Sequence, residues 1–132
     1  MKQLLALIIE LTNDNKFISE FIDRNINFVK NNEIDKLNQE TNMFYPFINE
    51  YIIRNNKFNE LMKKNKFQTI WSILLIEEYN SDEIKKLLKE FESSVKEAQN
   101  KKSLYSKLIS GELNMINKIK YYKNTGNIDF KL

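Results

Sequence analysis

The side chains of this chain that could carry out acid–base chemistry are carboxylates in close pairs. The pairs are Glu20 with Asp23, Glu77 with Glu78, and Glu90 with Glu92. Paired carboxylates can transfer protons or hold Mg²⁺, and residues three apart, as in the first pair, share a face of a helix. Such pairs are more often part of a solvated helix surface, so none of them identifies a catalytic site.

Other catalytic equipment is missing from the sequence. The chain contains neither His nor Cys, which excludes Ser–His and Cys–His nucleophile pairs and conventional zinc sites. Di-iron helical bundles need a Glu-x-x-His pattern, which a chain without His cannot form. Neither of the glycine-rich fingerprints that cradle phosphate is present. We therefore expect a protein that is not an enzyme and that uses no metal and no other cofactor.

Positive charge collects in the C-terminal part of the chain. Residues 1–80 carry a net charge of −1, whereas residues 81–132 carry +4. The candidate contact residues in that part are Lys101, Lys102, Lys107, Lys118, Lys120, Tyr121 and Lys123, with Tyr105 and Tyr122 beside them. Interleaved Lys and Tyr can contact a phosphate backbone and stack on bases, or can bind an acidic protein surface. Alternatively, the lysines only solvate a helix whose tyrosines belong to its apolar stripe.

Sequence-specific DNA recognition is not favoured. Arg, the usual base-reading residue, occurs only at Arg24 and Arg54, and the sequence pI is about 8.9. The scarcity of Arg and the abundance of Asn, Lys and Ile are typical of proteins encoded by AT-rich genomes. These biases therefore carry little functional information.

The elements that must position these residues are predicted to be helices. The 132 residues include two Gly and one Pro, too few turn residues for a β-sandwich or barrel. A chain of this length is typical of a single domain, here residues 1–132. No stretch reaches the roughly 18 apolar residues that a membrane-spanning helix needs. We therefore expect a single all-α domain in the cytoplasm.

Apolar residues recur at steps of three and four through the first half of the chain, which predicts amphipathic helices. The run Asn13–Asn15 could cap a new helix, so the N-terminal pattern predicts either two helices or one kinked rod. Pro46 predicts a helix break at Phe44–Pro46, because its ring disfavours helical geometry at the preceding residue. The apolar stretch Phe67–Tyr79 predicts a helix buried on several sides, with Trp71 in the core.

A long C-terminal helix is predicted to begin near Ser81, where capping and acidic residues cluster. Its heptad-like seam from Ile84 to Ile109 is interrupted at Lys102, and Ser110–Gly111 could kink it. Beyond Gly126, residues 127–132 alternate apolar and polar side chains, which is typical of a short extended tail. The candidate tail contacts are Ile128, Phe130 and Leu132.

These patterns together predict a compact bundle of about five to six helices with a long C-terminal helix. The leading functional hypothesis is a non-catalytic binding protein, of the inhibitor, immunity or anti-defence type or a small subunit of a larger complex. Its partner is then another protein. The alternative is a nucleic-acid-associated protein that contacts RNA or DNA through the C-terminal Lys and Tyr face. Self-association through the heptad seam is compatible with both.

Overall fold

Three long α-helices dominate the computed structural model, which describes the backbone of residues 1–125 and the side chains of residues 1–111. Helix α1 spans Lys2–Lys30, α2 spans Ile34–Lys64 and α3 spans Asp82–Thr125. Two short 3-10 helices, Ile70–Leu75 and Glu77–Tyr79, connect α2 to α3. The predicted all-α bundle is confirmed, whereas the count of five to six helices is not. The predicted tail lies outside the described residues.

Helix α1 is a single rod and not two helices. The polar run Asn13–Asn15, which could have capped a new helix, lies in the middle of α1. Both Asp14 and Asn15 are buried there, because they bond to side chains of the other two helices. These polar residues therefore link helices to one another and do not end one.

Helix α2 runs through Pro46, so the predicted break at Phe44–Pro46 is wrong. Proline in a helix interior removes one backbone hydrogen bond and costs about 3 kcal/mol. Phe44 and Phe47, on either side of it, offset this cost by packing on α1. The Phe44 ring stacks on Phe21 with centroids 3.8 Å apart, and the Phe47 ring lies 4.5 Å from that of Phe17. Tertiary packing thus overrides the local preference for a break.

Helix α2 ends in a Schellman turn. The backbone N–H of Phe67 donates to the carbonyl of Met62 at 3.0 Å, and that of Lys66 to the carbonyl of Lys63 at 3.0 Å. Lys66 sits at a positive φ of 58°, as this turn requires, and Asn32 has a φ of 55° just after α1. The turn redirects the chain so that Phe67 comes back beside the last turn of α2.

The segment between α2 and α3 differs from the predicted α-helix over Phe67–Tyr79. It forms the two 3-10 helices instead, with Ile73 fully buried and Leu75 86% exposed. This connection inserts Ile73 into the first apolar cluster of the core, beside residues of α1 and α3. The predicted start of the C-terminal helix is confirmed, since the Ile84 N–H donates to the Ser81 hydroxyl at 3.2 Å. Helix α3 continues through residues 110 and 111.

Helix α1 is the central element, and α2 and α3 both pack along it. Helix α2 runs antiparallel to α1, since Arg54 pairs with Asp14 and Glu40 pairs with Arg24. Helix α3 runs parallel to α1. Its apolar seam meets α1 in two clusters. The buried residues of the first are Leu4, Ile8, Leu11, Ile73, Leu88 and Phe91, and those of the second are Ile18, Phe21, Ile22 and Ala98.

A layer of polar side chains separates the two apolar clusters. Asp14 on α1 accepts two hydrogen bonds from the Arg54 guanidinium on α2, at 2.6 and 3.0 Å. The adjacent Asn15 amide donates to Ser94 on α3 at 3.3 Å and accepts from the Tyr51 hydroxyl on α2 at 3.3 Å. Two neighbouring residues of α1 therefore bond to both other helices at one level of the bundle.

Replacing Asp14 with Ala should destabilise the fold by about 2 kcal/mol, because it removes a carboxylate that is only 11% exposed and accepts two hydrogen bonds from Arg54. Urea unfolding followed by circular dichroism measures the change. The control, Asp23→Ala, removes the acceptor of an exposed pair with Lys101 and should cost less than about 1 kcal/mol. Equal losses of stability in the two variants would show that the Asp14–Arg54 pair contributes no more to stability than the exposed pair does.

Replacing Pro46 with Ala should stabilise the protein. The variant restores a backbone hydrogen bond inside α2, and part of that gain is offset because Ala leaves the unfolded chain more freedom than Pro does. We expect a net gain of about 2 kcal/mol in the same unfolding experiment. Unchanged or reduced stability would mean that Pro46 is accommodated without cost.

Candidate partner-binding groove

The first lysine of the predicted C-terminal face is engaged within the bundle. The Lys101 ammonium donates to Asp23 of α1 at 2.6 Å and lies 3.2 Å from Glu97 of its own helix. The hydrogen bond to Asp23, with a smaller contribution from Glu97, raises the pKa of Lys101. This lysine therefore fastens α3 to α1 and is not a free cation for a partner.

The other described members of that face have different environments. The Lys102 ammonium lies 5.6 Å from the centroid of the Tyr51 ring, a cation–π distance, and Lys107 is exposed. Tyr105 packs against the second apolar cluster, and burial raises its pKa. The side chains of Lys118, Lys120, Tyr121 and Lys123 lie outside the described residues, as do Ile128, Phe130 and Leu132, so the assignment of these as contacts stays a prediction.

A different surface has the shape of a binding site. An open groove of about 750 Å³ runs between the last turns of α2, the segment after it and the middle of α3. Its floor is apolar and consists of Phe58, Met62, Phe67, Ile70, Phe91 and Val95. Clefts of this size, with an apolar floor and polar edges, are typical of binding sites.

The groove follows from how the helices are arranged. Helices α2 and α3 each pack on α1 and approach each other less closely, which leaves a cleft between them. Phe58 and Phe91 close the base of the cleft, with ring centroids 5.6 Å apart. The Schellman turn at Lys66 closes one end by bringing Phe67 beside Met62. Backbone geometry and apolar packing therefore both shape the groove.

The rim of the groove carries more positive than negative charge. Lys63 projects from α2 and Lys96 from α3, and neither forms an ion pair within the described residues. The carboxylate on the rim belongs to Glu92, which accepts a hydrogen bond from the Trp71 indole N–H at 3.0 Å. The rim therefore carries two ammonium groups and one carboxylate.

The carboxylate pairs of the sequence form no shared centre in the described structure. Asp23 is bound to Lys101 and Glu92 to Trp71, so each is used in a tertiary contact. Residues 1–111 bring together no group of three acidic side chains that could hold a metal ion. None of the helices, as far as the structure describes them, combines the length and apolarity needed to cross a bilayer.

The sequence does not distinguish the apolar residues of the groove floor from residues of the core. Phe58 and Met62 follow the helical repeat of α2, and Trp71 lies in the most apolar stretch of the chain. Trp71 does pack against the first cluster, but it also lines a surface cavity. The helical repeat identifies the apolar face of a helix, yet it does not show whether a neighbouring helix covers all of that face. No protein-family model, curated protein sequence or solved structure matches this chain.

The protein should lose stability as the pH rises above about 10, the pKa of a solvated tyrosine. Burial raises the pKa of both Tyr51 and Tyr105. At a pH between the unfolded and the raised folded values, the folded state therefore keeps phenolic protons that the unfolded chain has released. This stabilisation is complete below pH 10 and is lost as the pH rises through the raised values.

Tyr105→Phe should therefore weaken the alkaline loss of stability. Urea unfolding at pH 9, 10 and 11 gives the slope for each protein. The variant removes one titrating group and no hydrogen bond found among the described residues. The same slope in both proteins would rule out a contribution from Tyr105.

Proposed function

We propose that this chain is a non-catalytic binding protein whose groove holds an amphipathic helix of a partner protein. An inhibitor, an immunity or anti-defence protein, or a small subunit of a larger complex would each act in this way. The observation that carries the proposal is the apolar groove between α2 and α3, open to solvent and edged with lysines.

The shape of the surface supports a helical occupant. Tyr45 and Ile52 precede the groove residue Asn59 by fourteen and seven positions, which places the three in line along α2. The side chain of Ile52 is 49% exposed and that of Tyr45 is 63% exposed. Fourteen residues of helix span about 21 Å. An amphipathic helix of about four turns would cover this row together with the groove floor.

The charge of the surface supports an acidic partner. Lys63 and Lys96 stand on opposite edges of the groove, and Lys102 lies one turn beyond its last α3 residue, Gln99. A partner helix with Asp or Glu on both sides of its apolar stripe would place carboxylates near these ammonium groups. Apolar burial would supply most of the affinity, and the charges would favour one orientation.

The alternative, nucleic-acid binding through the C-terminal Lys and Tyr face, has less support from the described residues. Lys101 is held by two carboxylates, and Tyr105 is packed against the bundle. The ammonium group of Lys101 is therefore already paired, and the ring of Tyr105 is partly covered. The lysines of that face beyond Lys107 belong to the part of the chain whose side chains are not described.

Site-specific photocrosslinking would identify what occupies the groove. A photoreactive phenylalanine analogue replaces the exposed groove residue Asn59 in one variant and the exposed Lys30, at the end of α1, in a control. After irradiation in the native host, we expect one dominant protein adduct at position 59 and none at position 30. The crosslinked peptide should come from a helix with an apolar stripe flanked by acidic residues. An adduct with this chain itself would indicate a homo-oligomer, and crosslinks only to nucleic acid would contradict the proposal.

Reversing the charges on the rim should weaken binding of that peptide. For Lys63→Glu combined with Lys96→Glu, we expect about a tenfold rise in Kd at low salt, since each edge charge contributes up to about 1 kcal/mol. Lys2→Glu combined with Lys30→Glu makes the same charge change away from the groove and should leave Kd nearly unchanged. Equal effects of the two double variants, measured by isothermal titration calorimetry, would argue against the groove as the site.

A further inference from the structure

A second cavity, separate from the groove, combines an aromatic ring with positive charge. It has a volume of about 440 Å³ and is lined by Trp71, Lys85, Lys86 and Lys89. No acidic residue lines it. Within the described residues, none of the three lysines forms an ion pair. Three lysines without an ion pair in the described part of the chain therefore line the cavity, mainly with their methylene stems, and the Glu92 carboxylate lies beside it at the Trp71 indole.

The ring of Trp71 has a fixed position in this cavity. Its indole N–H donates to Glu92 at 3.0 Å, and the residue also packs against the first apolar cluster. The N–H is therefore satisfied by the protein, and what the ring offers to a ligand is its π-surface. A ring held in this way can stack on a planar group without first losing rotamer freedom.

The spacing of the three lysines along α3 places them close to one another. Lys85 and Lys89 are four residues apart on α3, and Lys86 is adjacent to the first of them, so the three extend from one turn of the helix. Lys86 and Lys89 also line a further cavity of about 480 Å³, together with Lys16, Glu90, Glu92 and Glu97. At the Trp71 cavity the three lysines therefore outnumber the one carboxylate bonded to the ring, that of Glu92.

We propose that this cavity binds a nucleoside phosphate, either as a free nucleotide or as a unit of a single-stranded nucleic acid. The phosphate would accept hydrogen bonds from the lysine ammonium groups, and the base would stack on Trp71. An acidic peptide would satisfy the lysines but would leave the ring without a planar partner, so the combination of ring and cations favours the nucleotide. The site lies away from the C-terminal lysines and does not depend on the occupant of the groove.

The chain contains a single tryptophan, so its fluorescence reports on this site directly. The full chain is titrated at 50 mM salt with a twelve-residue oligothymidylate and, separately, with adenosine monophosphate. Stacking should quench the Trp71 emission in a saturable way, and quenching should weaken as salt is raised. Quenching by the oligonucleotide alone assigns the site to single strands, and quenching by both ligands includes free nucleotides. No quenching by either ligand overturns the proposal.

Matched variants test the location of the site. Lys85→Gln combined with Lys89→Gln should raise the Kd for the labelled oligonucleotide about tenfold in fluorescence anisotropy, because two phosphate contacts are lost. Lys30→Gln combined with Lys36→Gln removes the same charge from exposed positions elsewhere and should leave Kd within about twofold. Trp71→Phe should weaken binding several-fold by reducing the stacking surface.

Two results would overturn the assignment. One is an equal loss of affinity in the two double-lysine variants, which would mean that binding follows only the net charge. The other is competition by poly-glutamate that matches competition by the unlabelled oligonucleotide, which would mean that the base contributes nothing. Circular dichroism of every variant separates loss of binding from loss of fold.

Discussion

The bonds made by Asp14 and Asn15 set the arrangement of the three helices. These neighbouring residues of α1 reach α2 through Arg54 and Tyr51, and α3 through Ser94. Apolar contacts alone would tolerate a shift of one helix along another by a turn, because Leu, Ile and Phe side chains can exchange partners at little cost. Shifting α2 against α1 would separate Arg54 from Asp14 and leave the nearly buried Asp14 carboxylate without its cationic partner. The polar layer therefore fixes the positions of α2 and α3 along α1.

Helices α2 and α3 both pack on α1, and they are therefore separated from each other. Most of the apolar contact surface of α1 is used by its two neighbours, whereas the facing sides of α2 and α3 remain partly uncovered. The groove between them is what a fourth helix would fill in a four-helix bundle. Its floor carries the aromatic rings Phe58 and Phe91, and its edges carry Lys63 and Lys96. The surface proposed for a partner is thus a direct result of a three-helix arrangement.

Sequence patterns predicted the helical class and the start of α3 near Ser81, because periodicity and capping are local properties. They were wrong where contacts between residues far apart in the sequence determine the local structure. The packing of Phe44 and Phe47 on α1 keeps α2 continuous through Pro46, and insertion of Ile73 into the core converts a predicted α-helix into 3-10 turns. Sequence patterns did not predict the groove for a similar reason, because they do not show how much of an apolar helix face a neighbouring helix covers. Lys101 and Lys102 look alike in the sequence, yet in the structure Lys101 pairs with Asp23 whereas Lys102 lies over the Tyr51 ring.

The parallel arrangement of α1 and α3 has a consequence for how the chain is made. Side-chain hydrogen bonds between α1 and α2 join residues 16 to 40 positions apart, whereas those between α1 and α3 join residues 78 and 79 positions apart. As the chain emerges from the ribosome, the α1–α2 hairpin is complete well before α3 exists. The surface of α1 that contains Leu4 and Ile8 then stays exposed until Leu88 and Phe91 have been synthesised. Translation speed through the segment between α2 and α3 therefore sets how long this apolar surface is open to aggregation or to chaperones.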